Sequence, residues 1–233
     1  MSEKKIRKNA SKTSERNSAI KWIKRILLVM VMFLLIIYFI LRIIYDSGRF
    51  TITLDNAGDP MSGIIIYNDL ERKKPQQKLQ AETVENFTNI SESWLPKDIG
   101  DQAGGSHNGT NYIAYTFYIE NRSDNTFNYW YEVVLDDVIK NVDEALRVMI
   151  ILNGEKTIYA KVNSTTKEPE KNTIAFHSEE KVAVECRENF ASGEVDKCTV
   201  VIWIEGNDPE CLDNLIGGEI KMHMDIIEEH ITQ

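Results

Sequence analysis

The longest unbroken apolar run in the chain is Ile26–Leu41, sixteen residues with no charge, glycine, proline or side-chain amide. Arg42 interrupts it, and Ile43, Ile44 and Tyr45 carry it on. An arginine so near one end can lift its guanidinium to an interface, so the run extends to about twenty residues, the length that crosses about 30 Å of hydrocarbon. It has no polar face, which argues against a helix packed in a soluble core. The pattern predicts a transmembrane helix over 20–45, with Trp22 and Tyr45 at the depths that interfacial aromatics occupy. Residues 1–19 show no apolar period and read as a disordered basic tail.

Beyond the span the period changes to that of strands. Phe50–Asp55 and Gly63–Tyr67 read as short strands divided by an Asn56–Pro60 turn. Residues 68–110 are weakly patterned, with one apolar island (Ile90–Leu95) and a glycine-rich loop (Gly104–Gly109) that reads as mobile. Tyr112–Glu120 and Tyr129–Leu135 are rich in aromatic and β-branched residues, and Asn121–Asn128 is expected to join them as a hairpin. Leu146–Leu152 and Lys156–Val162 flank Asn153-Gly154, a tight-turn dipeptide. Further strands are expected at Thr173–Phe176, Lys181–Cys186, Cys198–Ile204 and Glu219–Ile227, with a helical turn within Val138–Ala145 and a short helix opening at Asp208-Pro209. About ten short strands without a long amphipathic helix predict an all-β fold, a β-sandwich over 46–233 with an irregular insertion at about 68–110.

Charge orients this arrangement. Residues 1–45 carry ten Lys/Arg and two acids, which leaves 17 basic and 34 acidic residues in the rest of the 233. Nine of the basic residues precede the span, so the positive-inside bias places the N-terminus in the cytoplasm and the β-domain outside, in a single-pass cell-membrane protein. The exit from the span has no Ala-x-Ala pattern, which favours an uncleaved anchor over a signal peptide. An acidic domain approaches phosphates against its own field, so nucleic acid is set aside as a partner.

Candidate chemistry is sparse. The histidines, His107, His177, His223 and His230, form no His-Glu-x-x-His run. Alternation puts Lys221, His223 and Asp225 on one face of a strand, and an exposed strand face is the simpler account of them. Glu205, Asp208, Glu210 and Asp213 gather four carboxylates that calcium could use, although their order is not that of an EF-hand, and acids are favoured beside a helix N-terminus in any case. No serine or cysteine nucleophile stands in a recognisable motif. No cofactor is implied and no catalytic residue is assigned. Asn-x-Ser/Thr sequons occur at Asn86, Asn89, Asn108, Asn121 and Asn163; in a eukaryote they would suggest glycans, and in so polar a chain some arise by chance. Cys186 ends one expected strand and Cys198 begins the next, so a hairpin could bring them within disulfide range, leaving Cys211 free; an extracellular setting permits that bond without requiring it. The alternative is three reduced cysteines acting as small apolar residues.

Four stretches carry a resemblance: Tyr115–Asn121 (YTFYIEN), Asp143–Ile150 leading to Asn153-Gly154, Thr199–Asp208 (TVVIWIEGND) running into Pro209-Glu210-Cys211, and Gly217–Met224 (GGEIKMHM). With them the exported part resembles the TasA/camelysin group of Gram-positive surface and biofilm-matrix proteins. The resemblance implies export, a jelly-roll-like β-sandwich and, for some members, fibres assembled by strand donation. Camelysin is described as a metalloprotease, but no metal ligand carries over to a position in this chain. Typical members have a cleaved signal peptide, whereas this chain is expected to keep its anchor, and a tethered subunit cannot polymerise freely. The expectation is therefore a non-enzymatic, membrane-anchored surface protein that engages an envelope partner through a sheet edge or a flexible strand near Phe50–Asp55. Its rivals are a metal-dependent hydrolase using Glu205, Asp208 and a histidine, and the extracellular sensing subunit of a membrane complex.

Overall fold

The computed structural model describes residues 3–46, 50–55, 63–84 and 87–229. The expected Asn56–Pro60 turn, Asn86 and His230 lie outside the described residues. The chain divides into two compact units, Met1–Ser47 and Gly48–Gln233.

The first unit is one helix, α1, Glu3–Asp46. Its segment Ile20–Leu41 spans 22 residues and is long and apolar enough to cross a membrane. At about 1.5 Å per residue it measures about 33 Å, close to the thickness of a hydrocarbon core. Apolar side chains point outward all round it, Leu27, Leu34 and Ile40 each being more than half exposed. Residues 3–19 were expected to be a disordered tail, but they continue the helix. Lys, Arg, Ala and Glu are good helix formers, and extending an existing helix needs no new nucleus.

The second unit is a sandwich of two sheets, as the strand pattern predicted. The first sheet runs β10 (Lys181–Phe190), β6 (Phe127–Ile139), β12 (Glu219–Glu229), β1 (Thr51–Leu54), β3 (Lys78–Gln80). The second runs β2 (Ile64–Tyr67), β5 (Tyr112–Asn121), β11 (Val195–Ile204), β7 (Leu146–Leu152), β8 (Glu155–Ala160), β9 (Ile174–Ala175), with β4 (Gly105–Ser106) also on β5. The β7–β8 turn follows the expected chemistry, Asn153 and Gly154 taking φ +51° and +89°. Two other connections differ from expectation. β5 and β6 are not a hairpin, because they belong to different sheets, and the same is true of β10 and β11. Asn121, fully buried, turns the corner after β5: its Nδ2 donates to the carbonyls of Asn125 and Phe190, both at 2.9 Å, and its Oδ1 accepts from the Ser123 N–H.

Strand β1, expected to be flexible, lies inside the first sheet. It pairs in parallel with β12 (Ile52↔Met224, Leu54↔Ile226) and antiparallel with β3, and Ile52 is fully buried. The core between the sheets follows from alternation. Phe117, Ile119, Val148, Ile150, Val200 and Ile202 come from one sheet, and Tyr129, Val133, Ile52, Met224 and Ile226 from the other.

A second apolar layer lies on the outer face of the second sheet. Ala114, Met149, Ile151, Ile158, Val201 and Trp203 point outward and are covered by Ile90, Leu95 and Ile99 of the insertion. A sheet buried on both faces needs apolar residues at successive positions, which is why Val200–Trp203 reads as an unbroken apolar run. The Gly104–Gly109 stretch is packed rather than loose. A Cβ at Gly104 would stand 2.0 Å from the Asn68 carbonyl oxygen, and one at Gly109 would stand 2.2 Å from the Tyr112 ring.

Candidate functional site

The four carboxylates proposed for calcium are not brought together. Glu205, 8% exposed, is a clamp: its Oε2 accepts from the Trp203 indole at 3.0 Å and the Glu92 N–H at 2.9 Å, and its Oε1 accepts from the Asn207 N–H. Asp213 is exposed in a short 3-10 turn, Asp213–Leu215. The helix expected to open at Asp208 is replaced by turns, because Asp208 points inward to Arg147 instead of capping a helix.

Asp208 and Glu210 do come together, with Glu170, their ligand atoms within 4.8 Å of one another. Arg147 supplies the positive charge there. Its Nη2 lies 2.5 Å from Asp208 Oδ2 and 4.0 Å from Glu170, and its Nη1 donates to the Leu146 carbonyl. Burial raises the Asp208 carboxyl, opposed by the hydrogen bond from the Glu210 N–H and by Arg147, while the neighbouring Glu210 carboxylate adds to the rise. Glu210 moves the other way. Burial works against its ionisation, but hydrogen bonds from Asp208 and from the Ser164 N–H and hydroxyl outweigh it and hold the group below its usual value. The constellation is an ion network of three carboxylates partly neutralised by one arginine.

The histidines are dispersed. His107 shares a hydrogen bond between Nε2 and the Ile99 carbonyl at 3.1 Å, its Nδ1 is buried without a partner, and burial lowers its pKa, with Lys197 adding to the shift. On the outer face of the first sheet His223 lies between two carboxylates, Nδ1 at 2.8 Å from Asp136 and Nε2 at 3.2 Å from Asp225, and Asp225 also accepts from the Thr53 hydroxyl. Among the described residues no histidine joins a group of potential metal ligands with Glu205 or Asp208.

Cys186 and Cys198 are not brought together either. Cys186 faces Trp130 in the first sheet, Cys198 is buried in the core against Leu152 and Phe117 in the second, and all three cysteines are free. Burial pushes the Cys198 thiol up. The described sequon asparagines have internal work: Asn89 Nδ2 donates to Cys211 Sγ, Asn108 Nδ2 to the Glu82 carbonyl, Asn163 Nδ2 to Glu170, and Asn121 holds the corner described above.

A shallow cleft of about 610 Å³ lies on the second sheet. Its lining includes the apolar Leu95, Pro96, Ile99, Met149 and Ile151 and the polar or charged Glu92, Ser93, Lys97, Asp101 and Lys156. Glu92 and Lys156 pair at 2.7 Å. Trp94, in the 3-10 turn Glu92–Trp94, is 75% exposed beside it. In the sequence Ile90–Leu95 stands out only as an apolar island, a tryptophan and two aliphatic residues in an otherwise polar segment. Among the described strands the sheet edges are short, at two to four residues, except for β10. That strand carries Lys181, Glu185, Arg187 and Glu188, and charges on an edge discourage pairing.

No family model matches the chain, and no curated protein matches it. Among solved structures, a β-glucosidase from Kluyveromyces marxianus in complex with glucose aligns at TM-score 0.28 and 14% identity over 76% of this chain. The selenomethionine-labelled form of that enzyme aligns at 0.30 and 13% over 77%. The chain spans only 18% and 19% of the length of these two. The N-terminal domain of PorA aligns at 0.24 and 7% over 71% of this chain and 96% of its own. Likenesses this slight carry no functional argument.

Proposed function

We propose that the chain is a membrane-anchored extracytoplasmic protein with a non-enzymatic, structural or partner-binding role at the bacterial cell surface. Helix α1 is the anchor, its basic N-terminal flank stays in the cytoplasm, and the acidic sandwich faces outward. The resemblance to the TasA/camelysin group fits this reading. The observation that carries it is Trp94, three-quarters exposed between Ser93 and Leu95, both of which line a cleft of mixed polar and apolar character. An exposed tryptophan on the sandwich suits a binding surface, where aromatic anchors carry much of the energetics. The ionisable clusters, by contrast, are occupied with one another. The charges along β10 favour the cleft over the sheet edge as the main contact.

Protease added to intact cells tests the arrangement. The sandwich should be digested while a fragment containing Ile20–Leu41 stays in the membrane pellet. Protection of the sandwich in intact cells, with digestion after lysis, would sink the reading.

A further inference from the structure

On the outer face of the first sheet a carboxylate stands against each ring nitrogen of His223. Nδ1 lies 2.8 Å from Asp136 Oδ1, and Nε2 lies 3.2 Å from Asp225 Oδ2. A neutral imidazole has one N–H and one lone pair, so it can donate to one of these carboxylates and must turn its lone pair on the other. Only the doubly protonated ring donates to both.

The contacts cross three strands. Asp136 is the residue left over where the β6–β12 register slips, between the pairs Lys221↔Asp137 and Met222↔Leu135. His223 and Asp225 belong to β12, and Asp225 Oδ1 accepts from the Thr53 hydroxyl of β1. The run Asp136–His223–Asp225–Thr53 therefore fastens β1 through side chains where its backbone hold is short. Four residues of β1 pair in parallel with β12 and three pair with β3. Parallel pairing is also the slightly weaker kind per residue.

The surrounding charges make the imidazolium matter. Glu132 stands opposite Asp225 on β6, and Lys181 of β10 is its partner. Lys221 is opposite Asp137, Lys78 of β3 is exposed opposite Thr53, and β1 brings only Thr51 and Thr53 to this ladder. Among the described residues no lysine or arginine forms an ion pair with Asp136 or Asp225, so His223 is their counter-charge.

We propose that His223 is a proton-operated clasp on β1, the first strand after α1. Protonated, it holds Asp136 and Asp225 and through Asp225 the Thr53 hydroxyl. Deprotonated, it leaves Asp225 facing a lone pair on one side and Glu132 across the ladder. Turning toward water then costs Asp225 its bond to Thr53, and β1 opens more often. An open β1 adds its residues to the connection between α1 and the sandwich.

The test uses the full chain in lipid nanodiscs, labelled with 15N-histidine and followed between about pH 5 and pH 8, where imidazoles ordinarily titrate. The His223 signals, assigned by their absence from His223→Gln, should show both ring nitrogens protonated at the acid end. Hydrogen exchange, corrected for the intrinsic effect of pH, is read at the Asp55 amide, which donates to the Ile226 carbonyl at 3.0 Å. Protection there should fall roughly two- to fivefold as the ring loses its proton, the range of a partly exposed ion pair, while amides of β11 keep theirs. The pH dependence should vanish in His223→Gln, which keeps a donor but does not titrate, and in Asp225→Asn, which keeps an acceptor for Thr53. Protection at Asp55 that ignores the titration of the ring overturns the clasp, as does a pH dependence that survives in either variant. An equal loss in β11 overturns it too, because pH would then be acting on the whole sandwich.

Discussion

Arg147 and Asp208, 61 residues apart in sequence, lie 2.5 Å apart with side chains 6% and 0% exposed. Water screens such a pair poorly, and each charge depends on the other for its solvation. The pair ties the start of β7 to the loop that follows β11, and Glu170 and Glu210 gather round it. The grouping looks like a metal site in its acids and like a structural fastening in its arginine.

Removing the arginine tests which of these it is. Arg147→Met strands buried carboxylates, and loss of one partner of a buried pair costs about 3–5 kcal/mol. For a domain of this size that lowers Tm by roughly 10 °C. Arg147→Met combined with Asp208→Asn should recover part of the loss in thermal unfolding. A single variant as stable as the parent would show that the network contributes nothing.

The cysteines give a second test. Cys198 is 1% exposed and burial raises its thiol pKa, both of which suppress the reactive thiolate. Cys186 and Cys211 are only partly buried. A thiol reagent should therefore label Cys186 and Cys211 in the folded protein and reach Cys198 only after denaturant is added. An internal Cys186–Cys198 bridge on a non-reducing peptide map would contradict the assignment of the two residues to different sheets.

Acidification tests His107. Burial lowers its folded pKa below the ordinary 6.5, so between those two values the unfolded chain binds the extra proton. Stability from this group is full above about pH 6.5 and declines as pH falls toward the folded value. Comparison of the parent with His107→Gln by Tm between pH 8 and pH 5 isolates it, and the variant should lose less on acidification. Equal slopes in the two proteins would mean that His107 titrates as it does in the unfolded chain.

Much of the sandwich was legible in the sequence because strand chemistry is local. Asn153-Gly154 announced its own turn, and the aromatic and β-branched runs marked β5, β6 and β11. Partnership between strands is not local. Nothing in the spacing of Cys186 and Cys198 says that the chain changes sheet between them, and the eight residues Asn121–Asn128 suit a hairpin as well as a corner. Asp208-Pro209 suggested a helix start, but a buried guanidinium contributed from residue 147 took the carboxylate. The cover over the second sheet was hidden for a related reason. Ile90, Leu95 and Ile99 follow neither a strand nor a helix period, since each is placed by the pocket it fills on β7 and β11.

That cover leads to the prediction with most bearing on function, because the cleft is built partly from it. Glu205 fastens the cover to the sandwich: one carboxylate oxygen takes both the fully buried Trp203 indole N–H and the Glu92 N–H, and the adjoining backbone adds Ile90 N–H to the Ile204 carbonyl and Gly206 N–H to the Ile90 carbonyl, both at 2.9 Å. Glu205→Ala leaves the indole donor buried and unpaired, at a cost of about 1–3 kcal/mol. Glu205→Gln keeps an acceptor oxygen and should cost less. Because the cover has its own small apolar cluster outside the main core, the loss should appear as local opening. In hydrogen exchange, amides of residues 90–101 should speed up in Glu205→Ala while those of β5 and β6 keep their protection. Uniform acceleration across both sheets would mean instead that the cover and the sandwich unfold as one, and that Trp94 stands on the core itself rather than on a layer that can open.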